Sequence, residues 1–136
     1  MRSLHLLLVG LFFGIVLSCV ETSATKVVVL SPEEMAEAVK QDELLQLLDV
    51  RTPEEYEVGH LKDSQNICVT SDDFEEKVKL LDKSKPVYVY CRKGGRSAKA
   101  ADILKEMGFT EVYDLEGGLT AWKEEGLPTA DEKWTS

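Results

Sequence analysis

Cys91 is followed within six residues by Arg92, Lys93 and Arg96, with Gly94 and Gly95 between the cations and Ser97 closing the run. A thiol attacks only as the thiolate, and each of these neighbours favours that form. Cationic side chains offset a negative sulfur, and glycines let the backbone turn tightly enough to aim its amides at it. A helix opened by Ser97 adds the positive end of its dipole. The chemistry is that of an activated sulfur nucleophile. The alternative is a core cysteine that ends a strand, since cysteine is often buried for packing alone. A packing cysteine has no use for neighbouring cations and paired glycines.

The flanking residues supply the elements that such a nucleophile needs. Val87, Tyr88, Val89 and Tyr90 are β-formers in an apolar run bounded by Lys85-Pro86, which predicts a buried strand ending at Cys91. Ala100, Ile103, Leu104 and Met107 keep helical spacing after Ser97, and Gly108 marks the helix end. Upstream, residues 26–30 and 44–50 read as strands. Ser31-Pro-Glu-Glu and Thr52-Pro-Glu-Glu each read as a helix start with a capping hydroxyl, a proline in the first turn and a glutamate three residues on. Residues 65–67 form a third strand, Ser71 caps a helix carrying Phe74, Val78 and Leu81, 111–115 is a fifth strand, and 119–125 is a final helix with Trp122 toward the core. Strands alternating with helices predict an open α/β fold: a five-stranded parallel sheet with helices on both faces. Asp49 and Arg51 then stand at the carboxyl end of a strand, the edge where such sheets place their sites. His60 reads as a hydrogen-bonded structural residue, because a pre-ionised thiolate needs no base.

Three stretches resemble the rhodanese, or thiosulfate sulfurtransferase, family. Cys91-Arg-Lys-Gly-Gly-Arg-Ser97 is similar to its active-site loop. Leu48-Asp-Val-Arg-Thr-Pro-Glu-Glu-Tyr56 through Gly59-His60-Leu61, and Val112-Tyr-Asp-Leu-Glu-Gly-Gly118 through Ala121-Trp122, are similar to other family segments. The resemblance covers about residues 26–128 and implies a rhodanese-like fold. It also implies a persulfide on Cys91, formed from a small anionic sulfur donor such as thiosulfate and passed to cyanide, a thiol or a protein thiol. Arg92, Lys93, Gly94, Gly95, Arg96 and Ser97 would bind the substrate, and Asp49 with Arg51 would brace the loop. No cofactor is implied. Cys68 stands where members very often carry proline, and it is read as structural filler. Two rival readings share the site. One is an envelope sulfur carrier or redox protein that delivers persulfide to a dedicated partner. The other is a phosphatase or arsenate reductase, whose loop carries five residues between cysteine and arginine, whereas Arg-Lys-Gly-Gly here counts four.

The 136 residues carry a net charge of -9, with 43% hydrophobic and 30% charged residues, values of one globular domain whose acidity argues against nucleic acid as a partner. A monomer is expected. Isolated cysteines and one usable histidine make no metal site. Residues 1–19 read as a signal peptide: Arg2 gives a basic start, and the apolar run 6–17 is too short to span a membrane. Val16-Leu-Ser-Cys19 resembles the lipobox of bacterial lipoproteins and predicts acylation of Cys19, with plain secretion and cleavage near Ala24 as the rival. Residues 20–25 are then a tether, 26–130 the rhodanese domain and 131–136 a polar tail. Export follows, with membrane contact only through the N-terminal lipid.

Overall fold

A computed structural model describes residues 25–132. The signal segment with Cys19, most of the tether and Trp134 in the tail lie outside the described residues. The predicted strands form as β1 (Val27–Leu30), β2 (Gln46–Asp49), β3 (Gln65–Asn66), β4 (Val87–Tyr90) and β5 (Val112–Leu115). They make one five-stranded sheet in the order β1-β5-β4-β2-β3, with every pair parallel. Parallel neighbours require crossovers. Helices α1 (Pro32–Gln41), α2 (Pro53–Val58), α3 (Phe74–Val78) and α4 (Gly95–Glu106) supply them, and α5 (Gly118–Glu124) closes the described fold.

Side-chain alternation along the strands gives the sheet two apolar faces. Leu48, Val87, Val89 and Val112 point one way and pack with Phe74 and Val78 of α3 and Ala100, Ala101 and Leu104 of α4. Leu47, Tyr90 and Leu115 point the other way and pack with Met35 and Ala36 of α1 and Leu119 and Trp122 of α5. Helices therefore cover both faces, and the central strands are buried on both sides as parallel sheets require.

This order also fixes where a site belongs. The chain leaves β2 outward to edge strand β3, but leaves β4 in the opposite direction to β5. The carboxyl ends of β2 and β4 thus flank the point where connections diverge, the usual crevice of an open α/β sheet. Asp49 ends β2 and Cys91 follows β4.

Two element starts differ from the sequence expectation for physical reasons. The helix expected from Ser71 begins at Phe74, because the Ser71 hydroxyl donates to Asp73 at 2.6 Å and so does not cap helix amides. The helix expected from Ser97 begins two residues earlier, at Gly95, because Gly94 takes a left-handed φ of +111° as N-cap. Both proline-led helices form as read. Ser31 and Thr52 each make a complete capping box, with Glu34 and Glu55 respectively.

Candidate active site

The loop between β4 and α4 wraps around the Cys91 sulfur. Left-handed Gly94 turns its amide back to donate to Cys91 Sγ at 3.1 Å, a conformation that glycine adopts without a Cβ penalty. Ser97 Oγ lies 3.5 Å from the same sulfur and donates to the Gly94 carbonyl at 3.1 Å. Cys91 is 1% exposed, and burial by itself pushes a thiol pKa up. That burial is the largest influence, yet the Ser97 hydroxyl and the amides of Ser97, Gly94 and Lys93 together outweigh it. The net result is a thiol below its ordinary pKa. Hydrogen bonds from a helix N-terminus are thus what favour the thiolate form of this sulfur.

The cations expected around the sulfur divide into two groups. Arg92 and Lys93 are exposed, and neither joins an ion pair among the described residues. Arg96 is committed elsewhere. Both of its terminal nitrogens bond Glu55, at 2.6 and 2.9 Å, so its guanidinium ties the loop to α2 instead of offering a free docking point. Of the three cations expected to bind substrate, it is the one that the structure pairs with a carboxylate. Its charge still acts on Cys91 and also on Cys68, which puts both thiols within its field.

Asp49 and Arg51 form a buried pair at 2.5 Å, and Arg51 also bonds the Gly59 carbonyl at 2.7 Å. Its guanidinium lies 5.8 Å from the Tyr90 ring centroid. The pair therefore fixes the end of β2 and the exit of α2. Contact with the Cys91 loop comes from Glu55, the same carboxylate that accepts the Thr52 amide in the capping box. His60 stacks on Tyr56 at 3.8 Å and hydrogen-bonds the Tyr56 carbonyl, which gives it a structural setting. Cys68 is a partly buried free thiol 3.2 Å from the Thr70 hydroxyl.

Sequence reasoning missed three supports. Glu55 is one, because no local pattern announces a partner 41 residues away. The second is the start of α5, where the amides of Leu119 and Thr120 donate to the carbonyls of Cys91 and Arg92 at 2.8 and 3.0 Å. Gly117-Gly118 was legible as a turn, but the close approach of Gly118 to the loop was not. The third, Asp114, sits buried in β5. A groove of about 510 Å³ runs beside the loop between α2 and α5, with Arg51, Arg92 and Lys123 among its walls.

The Glu55–Arg96 brace has a pH signature. The Arg96 hydrogen bonds, the largest cause, hold the Glu55 carboxyl at about 2, below the ordinary 4.5. Because the folded-state pKa is depressed, the stabilisation is present above the ordinary pKa and is lost as pH falls through the folded one. Urea denaturation of wild type and Glu55→Gln is expected to show a constant difference from neutral pH down to about 5. The difference then shrinks as pH falls and is lost below about pH 2.

Residues 31–125 match the model of the rhodanese-like domain. The chain is 39% identical over 111 residues to thiosulfate sulfurtransferase 16, chloroplastic, of Arabidopsis thaliana, a match that takes in 72% of this chain and 92% of that one. It is 40% identical over 77 residues to the uncharacterized protein YqhL of Bacillus subtilis, spanning 57% of this chain and 60% of that one. Among solved structures, a rhodanese-related protein from Thermoplasma volcanium superposes with a TM-score of 0.67 at 34% identity, covering 77% of this chain and 99% of that one. A parallel five-stranded sheet, a cysteine cradled by loop amides at its carboxyl edge and these matches agree: the chain belongs to the rhodanese-like domain family.

Proposed function

We propose that the protein is a thiosulfate sulfurtransferase working through a Cys91 persulfide. The observation that carries this reading is a buried sulfur whose pKa is nonetheless lowered by the loop's own donors. The anionic end of thiosulfate docks on the exposed Arg92 and Lys93, and the Cys91 thiolate attacks the outer sulfur. The Cys91 S–S bond forms, the donor S–S bond breaks, and sulfite departs with the bonding pair. The negative charge passes to the terminal sulfur of the persulfide, which the Gly94 amide and Ser97 hydroxyl are placed to receive. A thiophilic acceptor, cyanide or a thiolate, then attacks that sulfur and returns Cys91 as thiolate. Two half-reactions sharing one covalent intermediate predict ping-pong kinetics.

The cations supply a selectivity test. Arg92→Ala and Lys93→Ala are each expected to lower kcat/KM for thiosulfate by about ten- to a hundredfold, the range of one charge-assisted contact. Sulfur uptake from a neutral organic polysulfide should change much less. Equal losses with both donors would assign these side chains to loop shape instead.

We also propose that the protein is exported with its N-terminus processed, on the basic start, the short apolar core and the Cys19 context. Mass spectrometry of the mature chain decides this: loss of residues 1–18 with an acylated Cys19 is the expected result, and an intact Met1 contradicts it.

A further inference from the structure

The groove beside the Cys91 loop is larger than a small anionic donor needs. Its volume of about 510 Å³ lies within the range of about 300 to 1,000 Å³ typical of small-molecule sites. Helix α5 forms one wall and is bonded to the loop it faces, through the amides of Leu119 and Thr120 on the carbonyls of Cys91 and Arg92. Lys123 stands in the same wall one helical turn beyond Thr120, roughly 5 Å further along the axis. Its ammonium reaches across to the exit of α2, where a Cβ on Gly59 would stand 3.9 Å from Lys123 Nζ.

The charges of the walls are unevenly committed. Arg51 is paired with Asp49, and Glu55 with Arg96. Arg92, Lys123 and Glu124 join no ion pair among the described residues. Two cations against one carboxylate leave the groove locally positive, in a chain whose net charge is -9. Apolar surface completes the lining: Leu119, and Val58, which is 90% exposed on α2. Such a lining suits an occupant with a short hydrocarbon body and an anionic end.

We propose that this groove binds the sulfur acceptor, a small thiol that carries a carboxylate, and that Lys123 is the residue that selects for that carboxylate.

The inference rests on the Cys91 persulfide of the proposed sulfur transfer and names the class of its acceptor. Ping-pong order leaves the groove open to it, because sulfite has departed and released Arg92 before the acceptor arrives. The acceptor carboxylate pairs with Lys123 and its carbon chain lies against Val58 and Leu119. Its thiol, having given its proton to water, attacks the terminal sulfur as the thiolate. A new S–S bond forms on the acceptor, the Cys91 S–S bond breaks, and Cys91 keeps the bonding pair as thiolate. The transferred sulfur carries its negative charge away on the acceptor, and no oxidant or reductant is consumed.

The test starts from the persulfide, loaded with thiosulfate and freed of excess donor. Its loss is followed in single turnover with mercaptoacetate and with mercaptoethanol at equal thiolate concentration. Comparing each variant with wild type cancels the intrinsic reactivity of the two thiols. Lys123→Gln is expected to slow mercaptoacetate about three- to fivefold, the size of one exposed ion pair, while mercaptoethanol changes by less than about twofold. Lys123→Glu should enlarge the difference, Lys123→Arg should restore the wild-type preference, and added salt should weaken that preference in wild type. Equal slowing of both thiols by Lys123→Gln would overturn the proposal, as would a wild-type persulfide that reacts no faster with mercaptoacetate than with mercaptoethanol. A matching loss in the loading step would assign Lys123 to the donor and overturn it as well. Loading is read before any acceptor is added, so a failure of selectivity leaves sulfur transfer through Cys91 standing, whereas a protein that forms no persulfide overturns both.

Discussion

Cys91→Ser is expected to leave no sulfur transfer above background from thiosulfate, while the fold survives. The hydroxyl takes the same Gly94 amide that now meets Sγ at 3.1 Å, so the loop keeps its closing contact. The chemistry does not survive, because a serine hydroxyl is not ionised at neutral pH and oxygen has no affinity for a sulfane sulfur. Coincident urea transitions for wild type and variant, together with complete loss in a thiosulfate–cyanide assay, are the combined result expected. Retained turnover in the serine variant would place the reaction elsewhere.

The second large effect comes from a residue that touches no substrate. A Cβ on Gly118 would stand 2.5 Å from the Cys91 carbonyl oxygen and 2.7 Å from the carbonyl carbon and oxygen of Arg92. These are backbone atoms of the Cys91 loop and cannot step aside as a flexible side chain would. Gly118→Ala therefore displaces the sulfur, and misplacement on the scale of an ångström is worth about a hundredfold in kcat/KM. Gly118 also has a φ of +61°, so alanine adds backbone strain of about 1 kcal/mol. Gly126→Ala separates the two effects: its φ is +70°, but nothing lies within 4 Å of the added carbon. That variant should lose some stability and keep its activity, whereas Gly118→Ala should lose both.

The two glycines also show where sequence reading stops. Strands, the proline-led helix starts and the Cys91 loop were legible because each is written locally. The Val-Tyr-Val-Tyr run gives β4, proline and glutamate after a hydroxyl give the capping boxes of α1 and α2, and glycines beside cations mark the Cys91 loop. The roles assigned by contact across the fold were not. Arg96 looked like one more free cation, since its partner Glu55 is already explained locally as a capping-box residue. Asp49 and Arg51 were visible as a pair at a strand end, but only the fold shows that they hold the Gly59 turn. Asp114 follows Tyr113 in a run that alternates like any strand, and nothing local distinguishes a buried acid there from a solvated one. Gly118 carries its constraint in the loop of Cys91, not in its own turn.

The central claim is that Cys91 carries sulfur, and mass spectrometry of the protein after thiosulfate treatment tests it most directly. The expected result is a mass gain of one sulfur atom, located on the peptide containing Cys91, reversed by cyanide and absent from Cys91→Ser. The contradicting result is a Cys91 that gains no sulfur from thiosulfate or any polysulfide while the same protein hydrolyses aryl phosphates in a Cys91-dependent way.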